Sequence, residues 1–136
     1  MRYAVCYVST ANPSIKRWEI EELLLHSRKE NNATGITGLL LYSDGNFLQV
    51  MEGEKEQIQK LYRKIKEDKR HHNLIRIFGR EINKESFDGY DVDFVSEETK
   101  YKEEILQGYL DHIKVLDESC QRVVKGILKT FIYSNN

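Results

Sequence analysis

Two apolar, β-prone runs, GITGLLLY (35–42) and NFLQVMEG (46–53), are separated only by Ser43-Asp44-Gly45. Asp-Gly between such runs is a strong hairpin signal, so the sequence predicts two adjacent antiparallel strands here. The first run carries apolar residues on both faces of the strand, which predicts a sheet that is covered on both sides. Gln49 breaks the pattern, because it puts an uncharged amide where another apolar residue is expected.

The rest of the chain predicts an α+β fold with the order βαββαββ. The other elements are a strand at 3–9, a helix from about 15 to 31, a helix at 54–68 and strands at 74–82 and 90–95. This order favours a ferredoxin-like sandwich in which two helices lie across one face of the sheet. Two amphipathic segments follow from about residue 100, and we expect them to cap the second face or to meet a partner.

Composition limits the classes of function. A chain of 136 residues fits one compact domain, and a formal net charge of -1 gives no electrostatic case for nucleic acid or anionic membrane as the main partner. No apolar stretch approaches the length of a membrane span, and no signal peptide is recognisable. Cys6 and Cys120 lie far apart, which is typical of reduced cysteines in a cytoplasmic protein.

Strand alternation predicts a small polar cluster inside the domain. Tyr7 on the first strand and Gln49 on the third would share the sheet face that the first helix covers, and Asn31 would approach from the end of that helix. A buried amide without a partner costs about 1–3 kcal/mol, so these groups need hydrogen bonds. They either satisfy one another and the nearby backbone, or they line a slot for a flat ligand with polar edges.

Other chemical signals are weaker. The segment DKRHH (68–72) is expected to end the second helix, and its adjacent histidines would diverge too far to hold one metal ion. The glycines of TGITG lead into a strand and not into a helix, so they do not form a phosphate loop. No metal site is expected.

These residues make the chain resemble the BLUF family, whose members sense blue light using FAD. The resemblance covers residues 2–94 and is carried by VCYVSTA, ENNATGITGLLLYSDGNFLQVMEGE and LYRKIKEDKRHH at matching separations. It implies a flavin-binding domain at 1–98, with 99–136 as a helical cap or relay segment of the same domain.

The resemblance also implies roles for the clustered residues. Tyr7 matches the tyrosine that donates an electron and a proton, and Gln49 matches the glutamine that switches its hydrogen bonds. Asn31 matches the asparagine that bonds the edge of the flavin ring, with Asn32 as the less favoured occupant of that role. Blue light would give a reversible, slightly red-shifted state without turnover of a substrate, so the implied protein is a switch and not an enzyme.

Further positions follow from the same resemblance. Arg70 would reach a ring carbonyl, His71 and Asp68 would lie near the ring or the ribityl chain, and Lys64 would serve the phosphates. The remaining implied positions are ring packing by Leu23, Leu40 and Phe47 and an indirect contact through Ser9.

One stretch, FDGYDV (87–92), departs from the family pattern. Phe87 fits, but Tyr90 stands where the family has tryptophan and Val92 where it has methionine. Those positions are expected to relay the state of the glutamine, so the route of the signal is the open question. A shifted register of the last strand is an alternative explanation.

These residues leave three candidate functions. The favoured one is a short, stand-alone photoreceptor that acts through a homo-oligomer, a dimer or larger, or through a downstream protein in trans. The second is a degenerate interaction module that keeps the BLUF fold without photochemistry. The third, an acylphosphatase-like enzyme, would need an anion-binding loop with a paired arginine and asparagine, which the sequence does not offer.

Overall fold

The structure, a computed structural model, describes residues 1–83, 89–95 and 118–133. Its elements are β1 (Arg2–Ala11), α1 (Arg17–Ala33), β2 (Thr37–Ser43), β3 (Asn46–Glu54), α2 (Lys55–Glu67), β4 (His71–Ile82), β5 (Tyr90–Val95) and α3 (Glu118–Tyr133). The predicted α+β order is therefore confirmed. The first of the two predicted C-terminal segments and Phe87 lie outside the described residues.

The strands form one sheet in the order β4-β1-β3-β2-β5. β1 is an inner strand that pairs in antiparallel fashion with both β3 and β4, while β2 pairs in antiparallel fashion with the central strand β3. β5 pairs in parallel with β2, from Gly38 opposite Tyr90 to Ser43 opposite Val95. This register brings the first residue of β5 beside the point where α1 ends and β2 begins.

Both faces of the sheet are covered, as the apolar pattern of the hairpin predicts. One face packs against α1 and α2, and its buried cluster contains Val5, Tyr7, Leu40 and Met51 together with helix residues such as Ile20. The opposite face packs against α3. Its buried cluster consists of Cys6, Leu39, Leu41, Leu48, Val50, Val124 and Leu128.

The β2–β3 hairpin turns at Asp44 and Gly45, which have φ of 45° and 84°. Two consecutive positive φ values match the tight turn that an Asp-Gly pair favours. Gly38, at the start of β2, is needed for a different reason. A Cβ at this position would lie 1.9 Å from the carbonyl oxygen of Val50, and its φ of +143° is one that residues with side chains rarely adopt.

The expectation that DKRHH ends the second helix was wrong. α2 ends at Glu67, and Asp68 follows in an extended conformation with φ of -72° and ψ of 121°. His71 and His72 already belong to β4, where they pair with Ala11 and Thr10 of β1. The helical charge pattern continues past this point in the sequence, but backbone pairing with β1 decides the conformation. Within the described residues, no helix is long and apolar enough to cross a membrane.

Replacing Gly38 with alanine should lower the free energy of unfolding by roughly 3 kcal/mol or more, because the new methyl group meets backbone that cannot retreat. Gly126 in α3 is the matched control, since a Cβ there meets nothing within 4 Å. We expect Gly126→Ala to be neutral or stabilising by up to about 1 kcal/mol. Urea unfolding of both variants measures the difference, and equal stabilities would contradict this account of Gly38.

Candidate functional site

A cavity of about 610 Å³ lies between α1, α2 and the sheet face that carries Tyr7. This volume is in the range of small-molecule and cofactor sites. Most of the predicted site residues line it: Tyr7, Leu23, Asn31, Leu40, Phe47, Gln49, Lys64, Asp68, Arg70 and His71. The structure therefore brings together residues that span more than sixty positions of the sequence.

The base of the cavity is formed by Tyr7 and Gln49, which face each other across the β1–β3 ladder. Each is only 3 % exposed. The Tyr7 hydroxyl donates to Oε1 of Gln49, and Nε2 of Gln49 donates to the hydroxyl of Tyr90. Both ends of the unexpected amide are thus paired with phenols, which removes the cost of burying it.

Tyr90, the first residue of β5, is buried beside Gln49. Burial raises the pKa of Tyr90 above its ordinary value, and hydrogen bonds with Gln49 and Asn31 offset part of this effect. Burial likewise raises the pKa of Tyr7, with smaller contributions from the nearby Tyr90 and Tyr62 phenols. Both phenols at the base therefore keep their protons at neutral pH.

Two consecutive asparagines end α1 and have different surroundings. Asn31 is 7 % exposed and lines the cavity, as expected. Asn32 holds the backbone of Tyr90: its Nδ2 donates to the Tyr90 carbonyl at 2.9 Å, and its Oδ1 accepts from the Tyr90 N–H at 2.9 Å. Sequence reasoning missed this contact, because the residues are far apart in the chain and meet only through the β2–β5 pairing.

Ser9 is buried, and its hydroxyl lies 2.7 Å from Nδ1 of His71. The other ring nitrogen, Nε2, lies 2.6 Å from the carbonyl oxygen of Ile65. The imidazole also stands edge-on to the Tyr7 and Phe47 rings, with centroids 6.2 and 6.3 Å apart. Ser9 thus contacts His71 of the cavity wall, and its role toward a ligand stays a prediction.

Arg70 and Asp68 form an ion pair at the rim of the cavity. Nη2 of Arg70 lies 2.6 Å from Oδ2 of Asp68, and its Nε contacts both carboxylate oxygens at 3.0 and 3.1 Å. The Arg70 hydrogen bonds hold the pKa of Asp68 below its ordinary value, so this carboxylate is ionised at neutral pH. The pair places the guanidinium donors of Arg70 and the carboxylate acceptors of Asp68 together beside the opening of the cavity.

Lys64 and Lys60 both line the cavity from α2, one helical turn apart. Their side chains are exposed, whereas the Tyr7–Gln49 base is buried, so the cavity has cations on its solvent side and polar, uncharged groups inside. The sequence prediction named Lys64 and missed Lys60. The spacing of four residues on one helix face was the available signal.

Val92 pairs through its backbone with Leu40 of β2. Its expected relay role stays a prediction. In the described part of the chain, no three histidine, cysteine or acidic side chains are grouped closely enough to hold a metal ion.

Comparison with protein families gives a match over residues 3–93 to the BLUF model, described as sensors of blue light using FAD. Among curated proteins, the chain is 36 % identical over 59 residues to the blue light- and temperature-regulated antirepressor BluF of Escherichia coli K12. It is also 36 % identical over 72 residues to the photoactivated adenylate cyclase subunit alpha of Euglena gracilis. These matches cover 43 % and 53 % of this chain but only 15 % and 7 % of those longer proteins.

Among solved structures, the fold is similar to that of BlsA in its photo-activated state. The TM-score is 0.69 and the identity 26 %, over 98 % of this chain and 96 % of that one. This likeness therefore extends over nearly the whole of both chains.

The contacts of His71 predict its tautomer. A backbone carbonyl can only accept, so neutral His71 should carry its proton on Nε2, facing Ile65, and accept from the Ser9 hydroxyl at Nδ1. Nitrogen-15 chemical shifts of the two ring nitrogens in neutral His71 measure this directly. The Ser9→Ala variant should keep the same tautomer, because Ile65 still sets it, whereas a proton on Nδ1 in the unsubstituted protein would contradict the assignment.

Proposed function

Since this chain belongs to the BLUF family of blue-light sensors that use FAD, we propose that it is a photoreceptor in which Tyr7 and Gln49 perform the light-driven step. The observation that carries this proposal is the hydrogen bond from the Tyr7 hydroxyl to Gln49 at the buried base of the cavity. It joins a residue that can lose an electron and a proton to an amide that can reverse its hydrogen bonds.

The cavity suits the flavin ring. Its apolar sides are supplied by Leu23, Leu40 and Phe47, and its inner end presents the amides of Asn31 and Gln49. Amide groups offer donors and acceptors together, which matches the alternating carbonyl and nitrogen edge of a flavin. The apolar sides would pack on the faces of the ring and exclude water from it.

The rim suits the rest of FAD. The Arg70 guanidinium would donate to a ring carbonyl, with Asp68 fixing its orientation through their ion pair. His71, held by Ser9 and Ile65, would stand near the ring or the ribityl chain. Lys60 and Lys64 would bind the diphosphate, because an ammonium group is favoured beside phosphate oxygens at a solvent-exposed site.

When bound, the flavin would supply the absorption of blue light and the oxidising power of its excited state. Tyr7 would give up one electron and its phenolic proton, and both would return to it, so that no net oxidation remains. The raised pKa of Tyr7 supports this coupling, because the buried phenol does not lose its proton unless it also loses an electron.

Gln49 would be the part that retains the change. Rotation or tautomerisation of its carboxamide exchanges the donor and acceptor ends, which rewrites the hydrogen bonds at the base without moving the sheet. The resulting state would absorb slightly to the red and relax in the dark.

The output would pass from Gln49 through β5, with Tyr90 and Val92 as relay positions, to the second face of the sheet. α3 packs on that face through Val124 and Leu128, which supports 1–98 and 99–136 acting as one domain. We propose a second copy of the chain or a downstream protein as the receiver.

The function is tested by absorption spectra of the purified protein before and after blue light. We expect a yellow protein with a reversible red shift. In Tyr7→Phe and Gln49→Leu, the flavin should remain bound, because packing volume is nearly kept, but the red shift should fall to a few per cent or less of the unsubstituted value. Tyr3→Phe is the matched control on the same strand face and should keep the full shift.

A protein that takes up no FAD would overturn the sensor proposal. A yellow protein without a red shift would favour the degenerate interaction module instead. A full shift in Tyr7→Phe would assign the donor role to another residue.

The assignment of the two lysines predicts a selective loss of affinity. Lys60→Gln and Lys64→Gln should each raise the dissociation constant for FAD by roughly threefold to tenfold, while riboflavin, which has no phosphate, should bind as before. Fluorescence titration of the apoprotein with both flavins measures this. Lys66→Gln is the control, because Lys66 on the same helix lies over the ring of Tyr62. Equal losses for FAD and riboflavin would rule out a phosphate contact.

A further inference from the structure

Gln49 lies between two phenols. Its Oε1 accepts from Tyr7, and its Nε2 donates to Tyr90. A phenolic hydroxyl can both donate and accept, whereas the indole of a tryptophan only donates. Tyr90, where the family pattern has tryptophan, therefore changes which orientations of the Gln49 amide can be satisfied.

A half-turn of the Gln49 carboxamide would put Nε2 toward Tyr7 and Oε1 toward Tyr90. Tyr7 would then accept and Tyr90 would donate, so both hydrogen bonds could form again with their directions reversed. As far as these two protein partners are concerned, the two orientations carry the same number of bonds. The remaining contacts, chiefly those with the ligand and Asn31, would decide between them.

Both orientations can form their bonds only if the Tyr90 hydroxyl stays within hydrogen-bond distance of Gln49. Asn32 holds Tyr90 in this position through the Tyr90 backbone. Its carboxamide bonds both the N–H and the carbonyl of Tyr90 at 2.9 Å. Next to it, the carbonyl of Gly89 accepts from the N–H of Gly38 at 2.9 Å, which ties β5 to β2. Because β5 is an edge of the described sheet, Asn32 acts there as the peptide group of a further strand would.

We infer that Tyr90 is a hydrogen-bond partner of Gln49 in both orientations of the amide, and that Asn32 is the positioning residue that keeps it there. The first part rests on the proposed function, since it requires Gln49 to reverse. The second part concerns the dark protein and stands independently of photochemistry.

The first part is tested by exchanging the group that faces Gln49. Tyr90→Trp offers only a donor, so it should favour the orientation with Oε1 toward residue 90. We expect dark recovery to slow by about tenfold or the dark spectrum to move toward the red-shifted state. Tyr90→Phe removes the partner in both orientations and should speed recovery by at least about threefold.

A double-mutant cycle read out by dark recovery tests whether Asn32 acts on Gln49 through Tyr90, and this readout also rests on the proposed function. Asn32→Ala should speed recovery by at least about threefold, and Asn32→Asp, which keeps the acceptor for the Tyr90 N–H, should have a smaller effect. In the Tyr90→Phe background, Asn32→Ala should have no further effect, because it acts through the phenol. Asn83→Ala, at an exposed asparagine after β4, is the matched control.

Hydrogen exchange in the dark protein supplies the readout that does not need light. Asn32→Ala should raise the exchange rate of the Tyr90 amide by about tenfold relative to the Asn83→Ala control. Unchanged exchange at this amide would overturn the positioning role.

Two recovery results would also count against the inference. Additive effects of Asn32→Ala and Tyr90→Phe would mean that Asn32 supports the fold alone. Equal recovery rates of the unsubstituted protein, Tyr90→Trp and Tyr90→Phe would overturn the two-way role of Tyr90. The absence of any red shift would overturn both this role and the proposed function.

Discussion

The site depends on the register between β1 and β3, which sets Tyr7 directly opposite Gln49 in the middle of the sheet. A slip of one residue would turn Gln49 toward α3 and put Val50 in its place, because side chains alternate between faces. The register is held by apolar side chains on both faces and by the tight turn at Asp44 and Gly45. Tyr7 and Gln49 can therefore be buried as a pair, because the apolar residues around them fix the alignment of β1 and β3.

The second constraint is the parallel pairing of β5 with β2. It brings Tyr90 from a distant part of the chain to Nε2 of Gln49. There Asn31 hydrogen-bonds the side chain of Tyr90, and Asn32 hydrogen-bonds its backbone. Helix α1, the edge strand and the Tyr7–Gln49 pair are thus joined at one point. A change in the hydrogen bonds of Gln49 would act directly on the element that connects the sheet to the C-terminal part of the chain.

Much of the fold and of the site could be predicted from the sequence. Alternation put Tyr7 and Gln49 on one face, helical spacing brought Asn31 to it, and Asp-Gly located the hairpin. The end of α2 was predicted wrongly, because the charge pattern around Arg70 does not show that backbone pairing with β1 begins at His71. Lys60 was missed although its spacing from Lys64 was visible, since many helices carry basic pairs that bind nothing.

The sequence by itself determined that Tyr7, Gln49 and Asn31 lie on one buried face, because periodicity and turn chemistry are local and leave few alternatives. Only the tertiary structure decided which atoms of that buried set bond to which. The bonds of Gln49 to two phenols, of Asn32 to the Tyr90 backbone and of Ser9 to His71 all join residues distant in sequence. Hydrogen bonds depend on direction and on tenths of an ångström, and that precision exists only once the sheet and both helices are packed.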